Sequence, residues 1–241
     1  MTALMSRYYG LIPAAGSGSR FGAAQPKQYL AIGGRTLLDL AVESLARHPT
    51  IDRVFVVLAP DDERYVPSGP SVEKIVVCRC GGATRADSVL NGLRHAALDA
   101  DDRVLVHDAA RPCLSTAAVD RLISTVGDDP AGGILAIPVA DTLKRAGEQD
   151  RISETQPRDR LWQAQTPQLF PYGVLLDALT SGDRTTITDE ASAVEQHGIR
   201  PKLVMGEFAN LKVTYPDDLA WAAALLDAAR RAKSAGQRGA T

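Results

Sequence analysis

A glycine-rich loop with two cations follows the first apolar segment of the chain. Residues 14–19 are all alanine, glycine or serine, and Arg20 and Lys27 come soon after them. Small residues let backbone N–H groups approach an anion closely, and two cations can neutralise several phosphate oxygens. The loop therefore predicts a binding site for a triphosphate.

Two commoner phosphate-binding loops fit this segment poorly. A Walker A loop ends in Gly-Lys-Ser/Thr, whereas Lys27 stands between Pro26 and Gln28. A dinucleotide-binding loop requires a small residue where this chain has Phe21, and the nearest downstream acid, Asp39, falls within a helical pattern. The loop taken alone leaves a flexible turn rich in glycine and serine as the alternative.

Five segments match one protein family in the same order. They are IPAAGSGSRF (12–21) with PKQYL (26–30), GG (81–82) with RADSV (85–89), VLVHDAARP (104–112), ITDEAS (187–192) and NLKVT (210–214). These segments closely resemble the 2-C-methyl-D-erythritol 4-phosphate cytidylyltransferases, and the resemblance covers nearly the whole chain. Five ordered motifs are far more specific than one.

The resemblance implies a reaction and a set of site residues. It implies transfer of a cytidylyl group from CTP to 2-C-methyl-D-erythritol 4-phosphate, with release of pyrophosphate and with Mg²⁺ or another divalent cation as cofactor. The residues assigned in this way are the catalytic cations Arg20, Lys27 and Lys212. The nucleotide contacts are Ala14, Ala15, Gly16, Gly18, Gly82 and Ser88, and the substrate contacts are Asp108, Arg111, Thr142, Arg158, Thr166 and Thr188.

Two other functions stay open at this point. A cytidylyltransferase for another polyol phosphate, such as ribitol 5-phosphate, would share the loop and the fold. A non-catalytic nucleotide-sensing domain should lack at least one of the three cations, and all three are present. The family also often carries an acid just after the paired glycines, where this chain has Ala83 and Thr84.

Asp108 follows the apolar segment 104–106, so it is expected at the carboxyl end of a strand, facing a ligand crevice. A carboxylate in that place serves a divalent cation or a substrate hydroxyl, or it caps the next helix. The resemblance gives Asp108 to substrate hydroxyls and Arg111 to the substrate phosphate. Mg²⁺ is then expected mainly on the CTP phosphates, with Asp108 as a candidate ligand.

Composition excludes several classes of protein. A chain of 241 residues with 45% hydrophobic content can bury the core of one large α/β domain, and a net charge of −2 gives no electrostatic case for nucleic-acid binding. The sequence has no apolar run of the ~20 residues that span a bilayer, so we expect no membrane association and a cytoplasmic protein. Three cysteines and four scattered histidines lack metal-ligand spacing.

The elements that must position these residues alternate along the chain. Apolar segments at 8–13, 53–58, 74–78, 103–107 and 133–139 predict strands, and patterns at 37–47, 86–98, 116–126, 189–197 and 216–233 predict helices. This order predicts one α/β domain over 1–241, with a mostly parallel, twisted sheet, helices on both faces and a Rossmann-like nucleotidyltransferase fold.

The polar stretch 141–165 interrupts this alternation. It carries many charges and only isolated apolar residues, so it is either disordered or stabilised from outside. The resemblance implies a projecting arm that hooks around a second subunit, and hence a homodimer in which Arg158 reaches the neighbouring site.

Overall fold

The computed structural model describes residues 6–16 and 25–238. The strands are β1 Tyr8–Pro13, β2 Ala31–Ile32, β3 Arg35–Thr36, β4 Ile51–Val57, β5 Ile75–Cys78, β6 Arg103–Val106, β7 Gly133–Pro138, β8 Leu143–Ala146, β9 Ile152–Gln156, β10 Trp162–Pro171 and β11 Lys202–Met205. The helices are α1 Leu37–Ala46, α2 Arg85–Ala96, α3 Thr116–Val126, α4 Tyr172–Ser181, α5 Glu190–Glu195 and α6 Pro216–Arg238.

A seven-stranded sheet has the order β11-β7-β10-β6-β1-β4-β5. Strand β10 runs antiparallel to both of its neighbours, and the other paired strands are parallel. The predicted mostly parallel α/β sheet is confirmed. Strands β10 and β11 and helix α4 were not predicted.

Helices cover both faces of this sheet. Helices α1 and α3 pack with one set of strand side chains, and α2, α4 and α5 pack with the other. Neighbouring residues alternate between the two cores, as Leu11 and Ile12 do in β1. The loops at the carboxyl ends of the parallel strands are therefore held from both sides.

Polar caps start the helices next to those loops. Thr36 caps α1 in a capping box with Asp39, which confirms that Asp39 belongs to a helix. Thr84 and Asp87 form the same arrangement at the start of α2, and Asp189 caps α5. Each cap fixes the point at which a loop turns into a helix.

The predicted arm divides into two parts. Strands β8 and β9 form a two-stranded antiparallel hairpin whose side chains are almost all exposed. Residues 162–165, at the end of the predicted arm, belong instead to β10 of the central sheet. The sequence left order and disorder open here, and the structure shows a projecting hairpin.

Candidate active site

A cleft of about 690 Å³ lies beyond the carboxyl ends of β1, β5 and β6. It brings together eight of the predicted site residues from five separate stretches of sequence. They are Ala14, Ala15, Gly16, Lys27, Gly82, Ser88, Asp108 and Lys212. Gly18 and Arg20 lie outside the described residues.

The amide of Gln28 holds the first loop at the cleft. Its Nε2 donates to the carbonyl oxygens of Ala14 at 2.9 Å and Gly16 at 3.0 Å. The Ala14 N–H donates to the Val57 carbonyl at 2.8 Å, so the loop leaves the sheet in a fixed direction. Sequence reasoning assigned no role to Gln28.

Close packing explains the paired glycines of the second loop. A Cβ on Gly81 would lie 2.3 Å from the Cβ of Ala15 and 2.7 Å from the Leu58 carbonyl oxygen, and one on Gly82 would lie 2.4 Å from the Asp87 Cβ. These distances are far below van der Waals contact. The second loop can therefore approach the first only where side chains are missing.

The Ser88 hydroxyl is used within this loop. It donates to the Thr84 carbonyl at 2.9 Å and accepts the Gly82 N–H at 3.1 Å. A base bound here would meet the hydroxyl oxygen as an acceptor. Ala83, in the place of the family's acid, lines the cleft with a methyl group, and the Thr84 side chain is engaged in the cap of α2.

A row of alternating charges crosses the floor of the cleft. Lys212 Nζ lies 2.8 Å from Asp108 Oδ2, and the guanidinium of Arg85 holds Oδ1 at 3.1 Å from Nε and 3.0 Å from Nη2. The same guanidinium donates to both oxygens of Glu190, at 2.6 and 3.0 Å. The row therefore runs from the buried Glu190 through Arg85 and Asp108 to Lys212, and the last three of these residues line the cleft.

These neighbours keep the buried Asp108 carboxyl ionised. Burial raises its pKa, but the charges of Arg85, Lys212 and Arg111 outweigh burial and hold the pKa well below its usual range. Burial raises the pKa of Glu190, and Arg85 opposes that rise. Arg85 itself has a raised pKa: burial lowers it, but the two carboxylates outweigh that effect.

The surroundings of Asp108 do not suit a Mg²⁺ ligand. Asp108 is the one acid among the described residues that line the cleft, and both of its oxygens already receive donors from cations. A dication at this carboxylate would approach three positive side chains. A Mg²⁺ ion in this cleft would therefore need oxygen ligands other than those of Asp108.

The segment that carries Lys212 is tied to both walls of the cleft. Lys27 Nζ donates to the Val213 carbonyl at 3.1 Å, and the Val213 N–H donates to the Ala110 carbonyl at 2.8 Å. Residues 27 and 212 are far apart in sequence and meet here on one surface. The structure thus brings together two of the three predicted catalytic cations.

Arg111 and Thr166 lie beneath the cleft. Arg111 is buried and donates to the carbonyl oxygens of Asn210 at 2.7 Å and Ala164 at 3.3 Å. The Thr166 hydroxyl accepts the Asp108 N–H at 3.0 Å. Both residues support Asp108, and in this conformation neither lines the cleft.

His107, which sequence reasoning left among the scattered histidines, completes this support. Its Nε2 lies 3.1 Å from the Arg111 carbonyl oxygen, so the Nε2–H tautomer donates there. Its Nδ1, 3.0 Å from the Thr166 hydroxyl, then accepts the hydroxyl hydrogen. Burial lowers the pKa of His107 to about 4, so the ring is neutral at pH 7.

The three remaining predicted substrate contacts also lie outside the cleft. Thr188 is exposed just before α5, where its N–H donates to the Ser192 hydroxyl at 3.0 Å. Thr142 and Arg158 are exposed at the two ends of the hairpin. Their contacts with substrate stay predictions.

Sequence reasoning also missed Arg85 and Glu190. Both lie within the matched motifs, and each is the first residue of a helix at the carboxyl edge of the sheet. Their place at the start of a helix, within a matched motif, could have marked them as candidate site residues. Their pairing joins residues 105 positions apart, which no local pattern shows.

Comparison with known proteins agrees with this geometry. The family model described as 2-C-methyl-D-erythritol 4-phosphate cytidylyltransferase matches residues 9–228. The chain belongs to this family. The resemblance inferred from the five motifs is thus confirmed.

Relatives within the cytidylyltransferase family match over nearly their full length. A protein of Dechloromonas aromatica named 2-C-methyl-D-erythritol 4-phosphate cytidylyltransferase is 58% identical over 229 residues, which are 93% of this chain and 99% of that protein. A crystal structure of 4-diphosphocytidyl-2C-methyl-D-erythritol synthase has a TM-score of 0.82 and 44% identity, covering 93% of this chain and 100% of that one. The enzyme of Francisella tularensis has a TM-score of 0.78 and 37% identity, covering 91% and 100%.

Within residues 6–16 and 25–238, none of the helices combines the length and the apolar character that crossing a membrane requires.

Proposed function

We propose that this chain transfers the cytidylyl group of CTP to 2-C-methyl-D-erythritol 4-phosphate and releases pyrophosphate. Family membership over residues 9–228 carries the proposal. A cleft lined by two lysines and by backbone from two glycine-rich loops supports it, because such a cleft suits a triphosphate. The reaction also places the enzyme in the cytoplasm, where nucleoside triphosphates are available.

The reaction joins two anions, so catalysis rests on positioning and charge. An ionised phosphate oxygen of the polyol phosphate attacks the α-phosphorus of CTP and forms a new P–O bond. The bond from the α-phosphorus to the bridging oxygen breaks, and pyrophosphate leaves with that electron pair. The substrate supplies its own nucleophile, so no side chain needs to attack.

Cations of the cleft neutralise the charge that builds up on the phosphate oxygens. Lys27 and Lys212 lie on the wall where the triphosphate is expected, and Arg20 is assigned the same role from its motif. Removal of one such donor typically costs ~10²- to 10³-fold in rate. Asp108 accepts from substrate hydroxyls in this proposal and keeps Lys212 in place.

Mg²⁺ is the proposed cofactor. When bound, it neutralises phosphate charge and orients the triphosphate. Oxygens of CTP would hold it, since Asp108 is already engaged by cations. Removal of Mg²⁺ by chelation with EDTA should abolish pyrophosphate release.

The base pocket is expected to select a pyrimidine. Ala14, Ala15 and Gly82 present mainly backbone groups, and the two loops approach so closely that a Cβ on Gly81 would lie 2.3 Å from that of Ala15. We therefore expect CTP to be used in clear preference to ATP or GTP.

Pyrophosphate release, measured with each nucleotide and each polyol phosphate in the presence of Mg²⁺, tests this function. Turnover with CTP and 2-C-methyl-D-erythritol 4-phosphate is the expected result. Comparable turnover with ATP or GTP would contradict the proposed base pocket. Preference for ribitol 5-phosphate would reassign the acceptor.

The exposed hairpin is proposed to reach a second subunit. Thr142 and Arg158 flank β8 and β9, and Arg158 matches the position from which the family sends an arginine into the neighbouring subunit's site. The active enzyme is then a homodimer, and Arg158 acts in trans.

Subunit mixing tests that arrangement. Arg158→Ala and Lys27→Ala proteins should each be inactive or nearly so, whereas a mixed dimer has one site that is intact at both positions. Up to half of the sites in mixed dimers should be active. Mixtures that exchange subunits but stay inactive would contradict action in trans, as would a monomer by sedimentation.

A further inference from the structure

We propose that Arg85 is a positioning residue, which the buried carboxylate of Glu190 holds in place so that it orients Asp108 and, through it, Lys212. The proposal rests on the proposed function, because it concerns how the cleft is prepared for phosphoryl transfer. Neither the family description nor the sequence gives Arg85 or Glu190 a role.

The first step is the anchor. Glu190 is 1% exposed, and its two oxygens receive Nη1 and Nη2 of Arg85 at 2.6 and 3.0 Å. Such a two-bond pair fixes the plane of the guanidinium as well as its position. Both residues begin helices that pack on the same face of the sheet, so their backbones are also held.

The second step is the contact with Asp108. With Glu190 holding one side of the guanidinium, Nε and Nη2 reach only Oδ1 of Asp108, at 3.1 and 3.0 Å. Oδ2 is therefore left for Lys212 at 2.8 Å. Arg85 thus decides which carboxylate oxygen faces the lysine.

The third step concerns the charge of Lys212. The lysine side chain is 45% exposed and is the most exposed member of the row, in which Arg85 and Asp108 also line the cleft. Arg85 already balances much of the negative charge of Asp108. The carboxylate therefore aligns Lys212 without neutralising all of the positive charge of the lysine. Without Arg85, Asp108 would bind Lys212 more tightly, and less of the lysine's charge would be available to a phosphate.

Kinetics of Arg85→Gln provide the main test. We expect kcat to fall roughly 10- to 100-fold, as misplacement of a catalytic group does, and KM for the polyol phosphate to rise. KM for CTP should stay within about twofold of the wild-type value, because the proposed base contacts, Gly82 and Ser88, are held by bonds to each other and to Thr84. The matched control is Arg184→Gln, which removes the ion pair with Asp87 of α2 at 2.9 Å and should leave all three constants unchanged.

Titration of Asp108 provides a readout that does not depend on turnover. The carboxyl carbon of Asp108 is followed by ¹³C NMR and assigned with Asp108→Asn. The cations Arg85, Lys212 and Arg111 face this carboxylate. The carboxylate of Glu190 and the neutral ring of His107 lie next to these groups. Loss of Arg85 should move the midpoint to higher pH, and loss of Arg184 should not move it.

Two further variants keep the proposal testable if Arg85→Gln does not fold. Arg85→Lys retains the charge but cannot bridge two carboxylates, and Glu190→Gln removes the anchor while keeping its shape. Both should lower kcat while leaving KM for CTP unchanged. Wild-type kinetics in all variants that fold, an equal rise in KM for CTP, or an unmoved Asp108 midpoint would each overturn the proposal. Absence of turnover in the wild-type enzyme would instead contradict the proposed function, and the NMR midpoint would still decide the role of Arg85.

Discussion

Acid should destabilise this protein through His107 before most carboxylates titrate. Burial lowers the pKa of His107 from 6.5 to about 4, because a charged imidazolium would lose its hydration inside the protein. Between those two pH values the unfolded chain takes up a proton that the folded chain does not. The free energy of unfolding therefore falls as pH drops from 6.5 to about 4.

The magnitude follows from the size of this shift. One pKa unit corresponds to about 1.4 kcal/mol, so His107 contributes about 3 kcal/mol at neutral pH that is lost near pH 4. The contribution is fully present above pH 6.5. It is comparable to a large part of the stability of an ordinary domain, which is about 5–15 kcal/mol.

Urea unfolding at several pH values measures this contribution. Fluorescence of the half-buried Trp162 would report the transition of the wild type and of His107→Gln, with His95→Gln as a control for an exposed histidine. The wild type should lose about 3 kcal/mol more than His107→Gln between pH 7.5 and pH 4, whatever the absolute stability of the variant. A constant difference between the two proteins across this range, or an imidazole resonance of His107 that titrates near 6.5, would refute the reasoning.

Two more substitutions test the cleft. Lys212→Met should lower kcat ~10²- to 10³-fold with little change in thermal stability. The control Lys202→Met, on edge strand β11, should retain wild-type turnover. Equal activity of the two variants would refute the catalytic role of Lys212. Gly81→Ala should destabilise the fold by about 1–3 kcal/mol, because the new Cβ would lie 2.3 Å from that of Ala15. Among the residues that the structure describes, none has an atom within 4 Å of a Cβ built on Gly16, so chemical unfolding should separate Gly16→Ala clearly from Gly81→Ala.

The sequence predicts most of the sheet because burial leaves a plain record in apolar segments. Strands β1, β4, β5, β6 and β7 are predicted from such segments, to within two residues at their ends. Strand β10 is not, because glutamines stand where core residues are expected. Gln165 donates to the Glu207 carbonyl at 2.9 Å and Gln168 to Asp189 at 2.8 Å, and such long-range bonds make polar side chains acceptable inside.

Long-range contacts also explain why only part of the site can be predicted from sequence. The glycine-rich loops and Lys212 carry motifs that sequence alone can recognise, and their described residues line one cleft. The positions of the buried Arg111 and the half-buried Arg85 depend on partners 99 and 105 residues away, respectively. Local patterns describe which residues border a site, and only the folded chain shows which of them support the others.

The place of β10 in the sheet also matters while the protein is being synthesised. Strands β6 and β7 leave the ribosome before residues 162–171, yet β10 is the strand that lies between them. Until β10 emerges, the edges of β6 and β7 that it will cover stay open, and open strand edges favour intermolecular pairing. A pause in translation while β10 is still inside the ribosome would prolong this exposure, and a pause after β10 has emerged would not.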